Sequence, residues 1–210
     1  MFRELLDHPD VEEVVTLRGH EAPRHHRLGF MAYHGGGLEE MTDVIAQKAA
    51  SLSGTSYYGV HQPRGMEHHI PSIEVSPEAS SKLQSFMDHV HTVITLHGFG
   101  RKGFFTSLLL GGQHRQLADH IGRHLNEHLP AYRIITDLEQ IPKELRGLHP
   151  RNPVNIPPGT GVQIELPPRV RGTTPLFWDW EGPNHPPHTE SLITGLAMAA
   201  RTWTELLTLS

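Results

Sequence analysis

A histidine, three glycines, a leucine and a glutamate run from His34 to Glu39, and a second His-Gly pair stands at His97-Gly98. Each histidine closes a short apolar run, "GFMAY" in the first case and "TVITL" in the second. Two imidazoles and a carboxylate, with a fourth position open to water, are the ligand set of a catalytic zinc ion. The chain has no cysteine, so histidine and carboxylates are its strong ligands. On a helix, residues five apart point roughly 140° away from each other, and His34 and Glu39 could not share a ligand face. Gly35, Gly36 and Gly37 can take positive φ, which lets a loop fold Glu39 back beside His34. An isolated His-Gly at a strand end is most simply a turn; the pair with its spaced glutamate favours a metal. Attack by water also needs a proton acceptor. Glu165 in "GVQIEL" is the best candidate, because Val162, Ile164 and Leu166 alternate to one face and leave Gln163 and Glu165 on the other. Glu40 reads as a solvated acid in a first helical turn.

These residues need a scaffold that brings distant strand ends together. "GFMAYH", "TVITLH", "YRIITD" and "GVQIEL" are β-rich runs beside turn residues, "TSYYGVHQ" is a weaker fifth, and "VEEVVTL" reads as an edge strand. Helical spacing fills the gaps. Residues 38–53 carry apolar side chains at 38, 41, 44, 45, 49 and 52. Ser76-Pro77-Glu78 supplies a cap and a first-turn proline for a helix to about His89. A third helix spans 112–129, and a last one opens at Thr189-Glu190 and runs through "SLITGLAMAARTWTELL". The alternation predicts one α/β domain over residues 1–210, a three-layer sandwich with a mixed, largely parallel sheet. In such a sheet the ligand crevice lies at the carboxyl ends of the strands, where His34 and His97 can converge across sixty-three residues. The proline-rich stretches 148–159 and 167–188 read as surface loops.

Composition narrows the function classes. With 37% hydrophobic and 20% charged residues the chain is neither disordered nor a membrane protein, and no apolar run nears the ~20 residues that span a bilayer. The opening "MFRELLDHPDVEEVV" carries acids where a signal peptide needs an apolar segment, so a cytoplasmic location is expected. A net charge of −5 argues against broad nucleic-acid binding. Eighteen histidines are many; most are read as ordinary residues, with His68, His185 and His188 on the surface.

Taken in order, "YHGGGLE", "HHIPS", "TLHGFG", "LLLGG" and "GVQIELPPRVRG" resemble the poly-γ-glutamate hydrolase family of phages and bacteria. The likeness covers residues 29–171 and fades into the last helix. It implies a zinc-dependent amidase with a fold like that of the zinc carboxypeptidases and one zinc ion per chain. It puts the zinc ligands at His34, Glu39 and His97, and the general base at Glu165. The family's His-Ile-Thr-Ser segment stands here as His69-Ile70-Pro71-Ser72.

The implied substrate is an acidic, peptide-like or polymeric chain, so local positive charge is expected on a protein acidic overall. Arg151, Asn152, Asn155, Arg169 and Arg171 flank the Glu165 run and are candidate substrate holders, since arginine grips carboxylates bidentately and asparagine offers neutral donors. His69 is a candidate pocket residue, and Arg101 and Lys102 follow His97 closely enough to hold a substrate carboxylate. Gly111-Gly112 before a helix is a weak anion-nest signal. Hydrolysis of γ-glutamyl or related amide bonds is the leading reading. A deacylase or carboxypeptidase on small N-acyl amino acids or cell-wall peptides would use the same metal and base. A non-catalytic metal-binding descendant would have no need of Glu165.

Overall fold

Short runs of β-branched and aromatic residues pair into one seven-stranded sheet in the computed structural model, which describes residues 1–177 and 180–203. The strands are β1 (Glu12–Thr16), β2 (Leu28–Gly36), β3 (Ser56–Gln62), β4 (Thr92–Gly98), β5 (Ser107–Leu110), β6 (Arg133–Ile135) and β7 (Gly161–Leu166). Their spatial order is β1-β3-β2-β4-β7-β5-β6. The centre is parallel, while β1 meets β3 and β5 meets β7 in antiparallel fashion. Among the described residues the α-helices are α1 (Phe2–Leu6), α2 (Thr42–Ser53), α3 (Ser81–His89), α4 (Arg115–His128), α5 (Pro168–Arg171) and α6 (Pro187–Thr202). None is long and apolar enough to cross a membrane.

Strand alternation sorts the core into two layers. Ile94, Leu96, Val162 and Ile164 face α2, α4 and α6, which contribute Ile45, Ile121 and Leu196 to the same cluster. On the other face Met31, Tyr33 and Val93 pack with Phe2 of α1 and with Leu83 and Phe86 of α3. Each such side chain, fully buried, is worth roughly 1.5–3 kcal/mol of transfer free energy. The mixed α/β sandwich is therefore as expected from the sequence.

The details differ at several points. The helix expected over 38–53 begins only at Thr42, because Glu39 is held in a turn and Met41 takes a left-handed φ of 72°. Ser76 and Pro77 open a separate 3-10 turn, Pro77–Ala79; the cap of α3 is Ser80, whose hydroxyl accepts from the amides of Lys82 and Leu83. The four-residue β5 was not foreseen. The 148–159 stretch is no surface loop throughout, since Asn152, Pro153, Val154 and Asn155 are buried. The last helix ends at Thr202, and its expected extension past Trp203 falls outside the described residues.

One irregularity positions the site. Between Ala32 and Gly35, β2 advances three residues while β3 advances two, from Gly59 to His61. This β-bulge resets the alternation that would have sent His34 to the opposite face from Tyr33 and His97. Gly36, at φ +70°, completes the turn, and a Cβ there would lie 2.1 Å from the Gln62 carbonyl oxygen. Gly35 and Gly37 keep ordinary φ; they are required by close approach to Asp43 and to the Pro63 carbonyl instead. The carboxylate of Asp43 accepts from the Gly36 amide and pairs with His61 at 2.8 Å, which ties the turn to α2 and β3.

Gly36→Ala should therefore cost about 2 kcal/mol or more, a strained φ plus a backbone collision. Gly54→Ala is the reference, because Gly54 has φ +75° with nothing within 4 Å of an added Cβ. Equal denaturation midpoints for the two variants would show that the collision at Gly36 is relieved without cost.

Candidate metal centre and active-site cleft

Three side chains from separate segments meet at the carboxyl end of the sheet. His34 comes from the end of β2, His97 from the end of β4, and Glu39 from the turn between β2 and α2. The Glu39 amide donates to the His34 carbonyl at 2.9 Å, which folds the turn back over the strand end. One carboxylate oxygen, Oε1, then lies 3.0 Å from His34 Nδ1, and Oε2 lies 3.3 Å from His97 Nδ1. The Gly98 amide donates to Oε2 at 2.9 Å. Outer contacts fix both rings: His34 Nε2 donates to the Ile70 carbonyl at 2.8 Å, and His97 Nε2 meets the Tyr33 hydroxyl at 2.9 Å. The "HHIPS" motif thus acts here through a backbone oxygen.

The donor set fits a metal ion. A carbonyl only accepts, so neutral His34 carries its proton on Nε2 and presents the Nδ1 lone pair to a carboxylate oxygen. A lone pair facing an anion at 3.0 Å requires a cation or a proton between them. The three ligand atoms lie within 4.8 Å of one another, a span that one ion can bridge. Second-sphere contacts to carbonyl and hydroxyl groups orient ligating histidines in this manner. Burial works against ionisation of Glu39, yet His97 and His34 together hold its carboxyl well below the usual range. Burial lowers the basicity of His97, and Glu39 more than reverses this.

Glu165 stands beside these ligands, as the register partner of His97 across the parallel β4–β7 ladder. Burial pushes its carboxyl up to about 7; Glu39 adds to that effect, while His97, Gln163 and Arg171 oppose it. Gln163 Nε2 donates to Glu165 Oε1 at 2.8 Å, and Asn152 Nδ2 donates to Gln163 Oε1 at 2.8 Å. The chain Asn152–Gln163–Glu165 fixes the carboxylate. The residues open onto a cleft of about 730 Å³, large enough for a small ligand or a chain segment.

The expected substrate holders divide. His69 and Asn152 line this cleft. Asn155 sits below it and binds the Gly147 and His149 carbonyls, so it shapes the loop. Arg151 borders a neighbouring cavity, and exposed Arg169 lies near Tyr132; neither lines the cleft. Arg171 is buried behind the ligands, where Nε donates to Leu166 O at 3.2 Å and Nη1 to Glu40 O at 2.5 Å. Its guanidinium fills the space beside Gly98, where an added Cβ would come within 2.9 Å. Arg101 is taken up by Glu144 at 2.5 Å. Gly111 and Gly112 form no nest, since their amides are spent on the carbonyls of Gln163 and Arg146. Sequence reasoning missed the cations that do line the cleft, Lys143 and Arg146, on the run "IPKELRGLHP".

Arg171 clamps three segments at once: the Glu39–Glu40 turn, the end of β4 at Gly98, and the end of β7 at Leu166. Arg171→Met should weaken metal binding about 10–100-fold, the usual scale for loss of an outer support. Competition with a chromophoric chelator measures it; unchanged affinity in a folded variant would reduce Arg171 to a core filler.

A family model for poly-gamma-glutamate hydrolase matches residues 2–188. The structure of a bacteriophage poly-gamma-glutamate hydrolase superposes with a TM-score of 0.72 at 18% identity, covering 90% of this chain and 87% of that one. A zinc-free form of YNDL gives the same TM-score, 0.72, and identity, 18%, over 92% and 90% of the two chains. A candidate carboxypeptidase from Burkholderia mallei shares the fold more loosely, with a TM-score of 0.51 and 9% identity over 94% of this chain and 64% of that one. At these identities the structures show a common fold. No curated protein sequence matches significantly. The family model spans nearly the whole chain, the candidate metal ligands and Glu165 included, and the chain belongs to the poly-gamma-glutamate hydrolase family.

Proposed function

We propose that the protein is a zinc-dependent amide hydrolase that cleaves γ-glutamyl bonds in an acidic, peptide-like or polymeric substrate. Family membership supports the hydrolase class. The observation that carries the reading is the pairing of one carboxylate's two oxygens with two imidazole Nδ1 atoms, one ladder rung from Glu165. His34, Glu39 and His97 would hold the zinc, which when bound supplies a Lewis acid for the scissile carbonyl and acidifies water.

The chain's own residues do the rest. Glu165 takes the proton from the attacking water at its carboxylate and returns it to the departing amide nitrogen. A group that must both accept and release a proton works best with a pKa near neutrality, and burial brings Glu165 there. Gln163 holds Oε1, which orients the carboxylate toward the cleft. Lys143 on the rim supplies positive charge for substrate carboxylates in place of the arginines after β7, and Arg146 beside it shares its charge with Glu139 at 3.3 Å.

Purified protein should contain close to one zinc per chain, and poly-γ-glutamate turnover should stop on chelation and return with zinc. His34→Ala and His97→Ala should each lose the metal; metal content unchanged in both would end the assignment.

Glu165→Gln keeps the shape and the metal but removes the basic oxygen. Its kcat should fall by about 10²–10⁴-fold. The pH profile follows from the sign of the shift. The base is active when ionised, so kcat/KM climbs as pH rises through the pKa of Glu165, about 7 without the ion. A bound dication favours the carboxylate and moves that limb below 7. Near-normal turnover in Glu165→Gln, or an acid limb that persists in it, would defeat the mechanism.

A further inference from the structure

Ile73 lines two cavities. One is the cleft at the metal ligands; the other, of about 530 Å³, lies alongside, with Arg24, Arg151 and an apolar surface of Val75, Pro77 and Ile156. The run from His149 to Asn152 borders both: His149 and Asn152 face the cleft, Pro150 and Arg151 the second cavity. Two large apolar side chains are left open to water along this path, Ile73 at 37% and Ile156 at 38% exposure. Apolar side chains lining a cavity beside a cleft can pack against the methylenes of a ligand.

We propose that the second cavity is a distal subsite of the same cleft, occupied by the part of an acidic amide chain that lies beyond the scissile bond. This rests on the γ-glutamyl reading and extends it to the length of substrate engaged. A γ-linked glutamyl chain repeats two methylenes and an amide, with one pendant carboxylate per unit. Methylenes suit the exposed Ile73 and Ile156 side chains, with buried Val75 and Pro77 in the same wall, and pendant carboxylates suit arginine. Arg24 is held in place before any ligand arrives, because Nε donates to Val90 O at 3.3 Å and Nη2 to Met87 O at 3.0 Å. Such preorganisation lowers the ordering cost of binding. Glu78 and Asp88 also line the cavity, and Asp88 accepts from Gln84 at 3.0 Å. The charge is therefore two positive points rather than a basic face, and carboxylates are accepted only where the arginines stand.

The test compares kcat/KM on the shortest γ-glutamyl chain that is cleaved with that on a decamer, for wild type, Arg151→Glu and Ile156→Asp. Both altered positions are exposed, so folding is undisturbed. Wild type should favour the decamer, and each variant should narrow that preference about two- to fivefold, the scale of one exposed charge contact. Added salt should narrow the wild-type preference, because it screens the arginine contacts. Cleavage with no length preference, or a preference that both variants retain, overturns the subsite alone. No cleavage of γ-glutamyl chains of any length by metal-loaded protein overturns the substrate assignment and the proposed occupant together.

Discussion

A carboxylate withdrawn from water between two imidazole nitrogens must be matched by positive charge, and the rest of the site follows from that. Glu39 is only 13% exposed, so its ionised form cannot rely on solvent. One backbone amide, from Gly98, answers part of the demand, and the buried guanidinium of Arg171 adds long-range support. The remainder falls to whatever sits between Glu39 and the two Nδ1 atoms. A proton can serve there, which is why the basicity of His97 is raised; a divalent ion would serve better because it could engage all three groups. A metal bound there would compete with protons for one position, and its uptake would release protons.

The sheet satisfies this requirement by assembling strand ends. Parallel order in β3-β2-β4-β7 brings the carboxyl ends of four strands to one edge. Alternation then sets His97 and Glu165 on the face shared with Tyr33, while the Ile and Leu residues between them anchor the opposite layer. His34 reaches that face through the β-bulge of β2, held by the Asp43–Gly36 bond. The same device that aims the ligand also delays the start of α2, since chain that would have been its first turn carries Glu39 to the centre.

Much of this was legible in the chain, and the exceptions have physical causes. Strand-terminal His34 and His97 stood out because an apolar run before a His-Gly pair is a local signal, and Glu165 because alternation in "GVQIEL" is local as well. The three glycines pointed to a turn, but only Gly36 needs its φ; Gly35 and Gly37 answer to partners far along the chain, which no local pattern shows. Arg169 and Arg171 looked equivalent two residues apart. The one-turn helix α5 separates them, so Arg171 lies buried under Gly98 while Arg169 is exposed beside Tyr132. Lys143 and Arg146 carried no periodicity and no motif, and reach the cleft through the path of a loop pinned by Asn155.

The position of β7 has a consequence for biosynthesis. It lies between β4 and β5 in space, yet is translated after both, and after β6. Until residues 161–166 leave the ribosome, β4 and the β5–β6 pair have no common neighbour, and each presents an unpaired edge. Long-range insertion of this kind slows folding, because the loop must close before its contacts reward it. The nascent chain holds both imidazoles and Glu39 well before it holds Glu165. A growing polypeptide therefore carries its three candidate metal ligands before its proposed proton acceptor, and it acquires the full cleft only when the central gap in its sheet is filled.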